Sequence, residues 1–142
     1  MIGLDTNVIA RIVLADDASQ TRQATAMLDA AQQRGEEVSL SLPVVLELEW
    51  VLRSAAKLGK TAVITTLRHL LETELLQIEN EGALEYALHL YDGSKADFAE
   101  CLFLAQYRMQ GCRSMLSFDA QACKLEGVML PAAYAGAAPL SR

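Results

Sequence analysis

The sequence has no run approaching the roughly 18 uninterrupted apolar residues that a membrane span requires, and Asp5 breaks the apolar opening before a signal-peptide core could form. Neither a secretory leader nor a spanning helix is expected, and a cytoplasmic location follows from the same reading. The three cysteines, Cys101, Cys112 and Cys123, are odd in number and form no Cys-x-x-Cys pair. That counts against a disulfide framework or a zinc site and suits reduced thiols, all three read as buried small apolar groups. Positive charge is also in deficit. A net charge of −6 argues against indiscriminate nucleic-acid binding through an overall basic field, though a local basic patch remains open. A Walker loop, a Gly-x-Gly-x-x-Gly turn and a Ser-His-Asp arrangement are missing too. His69 and His89 stand far apart without ligand spacing and are read as surface or structural residues.

What is present is enough apolar material for one folded domain. The chain has 142 residues, of which 52% are hydrophobic, and a mean hydropathy of +0.19, so it can bury a core. It contains no internal repeat and no low-complexity linker. Its glycines fall where helical patterns stop or new elements begin. Between them the pattern predicts strands at Ile2–Leu4, Val38–Leu40, Leu75–Ile78, Met115–Ser117 and Val128–Leu130. Helices are predicted at Thr6–Val13, Ser19–Arg34, Pro43–Lys57, Thr61–Glu74, Glu81–Tyr91, Ser94–Gln110 and Ala120–Leu125. Alternating strands and helices imply an α/β fold with a short, mostly parallel sheet covered by helices on both faces. Residues 1–131 are expected to form a single domain, and residues 132–142 a loose tail.

Four acids carry the chemical signal. Asp5 and Asp119 each end a short predicted strand and precede a helix. Asp is a favoured N-cap, so each has a purely structural explanation, yet strand ends are where open α/β sheets bind ligands. Asp97 closes Ser94-Lys-Ala-Asp97, a capping-box pattern in which Ser94 would be the cap, and Glu100 follows three residues later on the neighbouring surface. Glu47 has only apolar helical neighbours, Pro43, Val44, Trp50 and Val51, and so no local partner for its charge. It is therefore assigned to a crevice with the other acids. Glu49, four residues before Arg53 and about 200° away around the helix, is read as an ordinary surface ion pair. Leu46, Leu48, Trp50 and Leu52 make this helix apolar nearly all round, which means deep burial or a face for self-association.

Two carboxylates about 4 Å apart repel by roughly 4 kcal/mol at an effective dielectric near 20, and four compound the problem. Mg²⁺ or Mn²⁺ would relieve it, because hard cations take carboxylate oxygens and retain waters. A retained, acidified water can attack phosphorus. No acid lies between Glu49 and Glu72, whereas Arg53, Lys57, Lys60 and Arg68 do. That segment is either a solvated helix face or a strip that contacts phosphates.

At these residues the sequence resembles the PIN-domain ribonucleases, and within them the VapC-type toxins of bacterial toxin–antitoxin pairs. The matching segments are Leu4-Asp5-Thr6-Asn7-Val8-Ile9, Val44-Val-Leu-Glu47-Leu, Ala96-Asp97-Phe98-Ala-Glu100 and Ser117-Phe118-Asp119. The resemblance implies a PIN fold, Mg²⁺- or Mn²⁺-dependent RNA cleavage, homodimerisation and inhibition by a cognate antitoxin. By position, Asp5, Glu47, Asp97 and Asp119 match the family's acidic metal site, and Thr6, Asn7 and Ser117 its supporting polar residues. Glu100 stands where many relatives have Asp, and its longer arm would bind the metal directly or through water. Two other classes stay open: a catalytically inert PIN-like module that binds RNA or protein, and a receiver-like domain. The second lacks a phospho-accepting Asp on the mid-chain strands.

Overall fold

The computed structural model describes residues 1–138, and the chain forms two compact units, Met1–Glu81 and the residues from Gly82 onward. In the first unit, β1 (Ile2–Gly3), β2 (Val38–Leu40) and β3 (Leu76–Ile78) make a parallel sheet in that order. Ile2 is in register with Val38, and Val38 with Leu76. Val38 and Leu40, on one face of β2, are fully buried, as a face covered by helices requires.

Helices α1 (Thr6–Leu14) and α2 (Ala18–Gln33) connect β1 to β2; α3 (Leu42–Trp50) and α4 (Lys60–Leu71) connect β2 to β3. Helix α1 packs on α2 and α3, and α3 on α4. The buried stripe of α4, Val63, Ile64, Leu67 and Leu70, repeats at helical spacing. Each such aliphatic side chain contributes about 1.5–3 kcal/mol on leaving water. The segment expected as one helix over Pro43–Lys57 changes character midway. Pro43 occupies the first turn of α3, but Val51–Ala55 winds more widely, with the Ala56 N–H donating to Val51 O at 3.0 Å. Lys57 then adopts a left-handed φ of 58°. A single residue can end a helix this way, at a steric cost that glycine would avoid.

The second unit holds α5 (Glu81–Asp92, starting at the boundary), α6 (Phe98–Met109), a parallel pair β4 (Met115–Leu116) and β5 (Val128–Met129), and α7 (Pro131–Ala135). Met115 is in register with Val128, and a single 3₁₀ turn at Ala122–Lys124 lies between the two strands. Leu84, Leu88, Phe98, Leu102 and Leu104 are buried, and the Tyr91 and Phe98 rings meet at 5.5 Å. Arg108 lies over Tyr86 at 5.3 Å, donates to its hydroxyl and also donates to Glu126 O at 2.5 Å. Gly127, at a φ of +90°, passes beneath that guanidinium, where a β-carbon would come within 3.0 Å of Nη2.

The α/β architecture and parallel pairing agree with the sequence reading. Two details do not. Only Cys101 is buried; Cys112 is exposed, and Cys123 is half-buried with its thiol directed at Ser117 O, 3.4 Å away. Pro131–Ala135, expected to be loose, is helical, with Pro131 in the first turn where its missing N–H costs nothing. The last four residues of the expected tail lie outside the described residues.

Candidate active site

In the first unit, Asp5 stands two residues beyond β1 and is the N-cap of α1. Its Oδ1 accepts from the Thr6 N–H at 2.6 Å, while its carbonyl accepts from Val8 and Ile9. Thr6 is buried, and Asn7 is exposed in the first turn. Asn7 lines, with Val8, Arg11 and Met27, a cavity of about 370 Å³ between α1 and α2. Because β1 and β2 run parallel and side by side, α3 leaves the same sheet edge as Asp5.

On α3 the two glutamates exchange the environments expected of them. Glu47 is exposed, whereas Glu49 is only 3% exposed and binds the Arg53 guanidinium at 3.0 Å. The reason is the helix stripe. Leu42, Val45, Glu49 and Leu52 follow one another at helical spacing and all are buried. The apolar neighbours of Glu47 belong to the outer side, where Trp50 is 56% exposed. Apolar residues beside an acid therefore did not mean a buried acid. Glu47 faces water, and Glu49 is the buried carboxylate, neutralised by a built-in cation.

Among the basic residues, Arg53 is exposed while bound to Glu49, Lys57 is exposed at the left-handed helix stop, and Lys60 and Arg68 lie at the two ends of α4. His69 and His89 are exposed.

In the second unit, Asp97 itself is the N-cap of α6 and makes no side-chain capping bond. The expected capping box is absent. Ser94 instead donates to Leu90 O at 2.7 Å and accepts from Ala96 N–H at 3.3 Å, closing the end of α5. The Asp97 carboxylate is thus not spent on its own helix. Asp119 follows β4 and is a cap, accepting from Ala122 N–H at 2.7 Å, while Ser117 Oγ accepts from Asp119 N–H at 3.0 Å. Between them in sequence is Glu100, in the first turn of α6. Burial pushes its carboxyl pKa up; the negative charges of Asp97 and Asp119 add to the rise, against a lowering by its own backbone N–H. Its Oε2 is buried without a hydrogen-bond partner, as is Gln121 Oε1.

Asp97 and Asp119 therefore act electrostatically on one carboxyl that has an orphaned oxygen. Among the described residues, no three His, Cys, Asp or Glu side chains stand in position to hold a metal ion together. Asp5 and Asp119 each turn one oxygen back onto the following backbone. The donor chemistry still fits a hard divalent cation. Carboxylate oxygens are its preferred ligands, and an unpartnered oxygen among like charges is where a cation relieves most repulsion.

Sequence reasoning did not single out the exposed aromatics of this unit. Phe118, beside Asp119, is 85% exposed, and Phe103 and Tyr107 on α6 are 42% and 44% exposed. A signal existed, since Phe103 and Tyr107 fall at i+3 and i+7 from Glu100, and Phe118 lies between Ser and Asp.

Residues 2–128 match the profile of the PIN domain. No curated protein matches the chain.

Proposed function

The chain belongs to the PIN domain family, a nuclease-type fold, and on that premise we propose that it is a metal-dependent endoribonuclease of the VapC toxin type. The observation that carries the proposal is the orphaned Glu100 oxygen in a carboxyl under the negative charge of Asp97 and Asp119. Asp97, Asp119 and Glu100 would hold Mg²⁺ or Mn²⁺, with Asp5 and Glu47 contributing as the other two acids at family positions. The cation, when bound, would supply Lewis acidity toward the phosphodiester and lower the pKa of a coordinated water.

The chain's own groups have defined parts in this scheme. Asp97, free of capping duty, offers both oxygens. Asp119 is held by Ala122 N–H, so its second oxygen is fixed in direction. Glu100 holds a proton more readily than an ordinary glutamate, and a bound cation would favour its ionised form. Thr6 and Ser117 hold Asp5 and Asp119 in place through their N–H and hydroxyl groups. Lys57, with Arg53, Lys60 and Arg68, would contact RNA phosphates.

The residues to 131 are read as a single PIN domain. The exposed Trp50 on α3 supports a homodimer contact, and the toxin type brings with it a cognate antitoxin as partner. No helix among the described residues is long and apolar enough to cross a membrane.

A second reading, a PIN-like module that binds RNA or protein without cutting it, is favoured by the lack of three acids in metal-holding position among the described residues. Total bacterial RNA incubated with purified protein separates the two. Discrete fragments formed with Mn²⁺, and lost with EDTA and with Asp5→Asn, are the expected result. Well-folded protein that binds RNA and leaves it intact would favour the second reading.

A further inference from the structure

Aromatic residues are scarce in this chain, and their placement is uneven. Seven of the eight, all the phenylalanines and tyrosines, lie beyond Gly82. Tyr91 and Phe98 are core residues, and Tyr86 lies against Arg108. Phe118, Phe103 and Tyr107 are exposed. Phe118 forgoes the burial that normally positions a phenylalanine, yet its backbone is fixed on both sides. Ser117 N–H donates to Met129 O at 3.0 Å, and Asp119 is bound through both its N–H and its carboxylate. A rigid loop therefore presents an open ring next to Asp119. On α6, Glu100, Phe103 and Tyr107 share a face, the two rings being four residues and so about 6 Å apart along the axis. Gln106 and Gln110 alternate with them around a hollow of about 190 Å³.

We propose that these rings are a stacking platform for unpaired RNA bases: Phe118 takes the base beside Asp119, and Phe103, Tyr107, Gln106 and Gln110 take bases further along the strand. The proposal rests on the nuclease reading for its substrate class. Flat rings accept any base by its face, and a glutamine amide, with both donor and acceptor, can bond a base edge. Neither requires positive charge, which matters in a chain of net charge −6. A protein partner would call for a continuous apolar patch, and here amides interrupt the rings.

The test compares wild type, Phe118→Ala, Phe118→Tyr and the double variant Phe103→Ala/Tyr107→Ala. Binding of a fluorescein-labelled, unstructured RNA oligonucleotide is followed by anisotropy in EDTA, so that it is read apart from turnover. Steady-state cleavage with Mn²⁺, molar mass by light scattering and thermal melting complete the set. The expected result is a Kd raised roughly tenfold in each alanine variant, with KM raised, kcat nearly retained, melting unchanged and Phe118→Tyr restored. Unchanged Kd and KM in both alanine variants would overturn the platform, as would wild type that binds no RNA. Loss of dimer mass with RNA binding intact would overturn it too and assign the rings to a protein interface. Wild type that binds RNA through these rings but cuts nothing would refute the nuclease reading alone.

Discussion

Glu49 in the first unit and Glu100 in the second are both helical glutamates with a carboxylate oxygen out of water, and the fold treats them in opposite ways. Glu49 lies in the buried stripe of α3 and is met by Arg53 one turn later at 3.0 Å. Glu100 lies in the first turn of α6, with an oxygen that meets nothing and with Asp97 and Asp119 adding to the cost of its charge. A fold that supplies an arginine to one such group gives the other its own backbone N–H and two further acids. The first arrangement is complete as it stands. The second becomes favourable when a cation arrives from outside.

The comparison breaks most visibly at Asp97. Asp97→Asn removes a carboxylate that caps nothing, so RNA cleavage should fall by about a hundredfold or more, while the melting temperature holds or rises. Fragment yield against time, together with calorimetric melting, checks both parts. Undiminished cleavage would remove Asp97 from the site.

Arg53→Ala should act on stability instead. It takes the guanidinium from a buried carboxylate, at a cost of about 1–3 kcal/mol, which a urea titration would read as a lower midpoint with an unchanged slope. A variant as stable as wild type would mean that the pair is dispensable.

The two glutamates should also respond to amidation with opposite signs. For Glu100 the folded-state pKa is raised, so its contribution is favourable below the ordinary glutamate value of 4.5 and is lost as pH rises through the raised value. Without divalent metal, Glu100→Gln should therefore raise the melting temperature by a few degrees at pH 7 and leave it nearly unchanged at pH 4. Glu49→Gln should lower it at pH 7, because Arg53 loses a charged acceptor. The same sign for both at pH 7 would end the distinction.

The smallest effect concerns the basic residues. Lys57→Ala should reduce the salt dependence of RNA binding by about one unit of slope, and Arg53→Ala by less, since its charge already serves Glu49. Equal changes would show that Arg53 reaches phosphate despite the pair.

Much of this was legible from pattern. β2 occupies the predicted Val38–Leu40, and the cap at Asp5 follows from an acid placed between a short strand and a helical run, whereas Asp119 is followed by only a 3₁₀ turn. What was not legible depends on tertiary position. The neighbours of Glu47 and Glu49 on α3 are both largely apolar, and only packing against α1 and α4 decides which face turns inward. The Ser94–Asp97 pattern fits a capping box, but Ser94 finds Leu90 O first, so the helix starts three residues later. The wide turn at Val51–Ala55 has no composition of its own. The repulsion focused on Glu100 needs residues 97, 100 and 119 in three dimensions, and sequence spacing between α6 and β4 does not provide that.

The claim at the centre of this account is that the acids around Glu100 are built to receive a divalent cation, and Mn²⁺ titration by calorimetry tests it most directly. Wild type should bind Mn²⁺, and Asp97→Asn should lose most of that affinity while remaining folded. Absence of binding to wild type, or equal binding by Asp97→Asn, would contradict it.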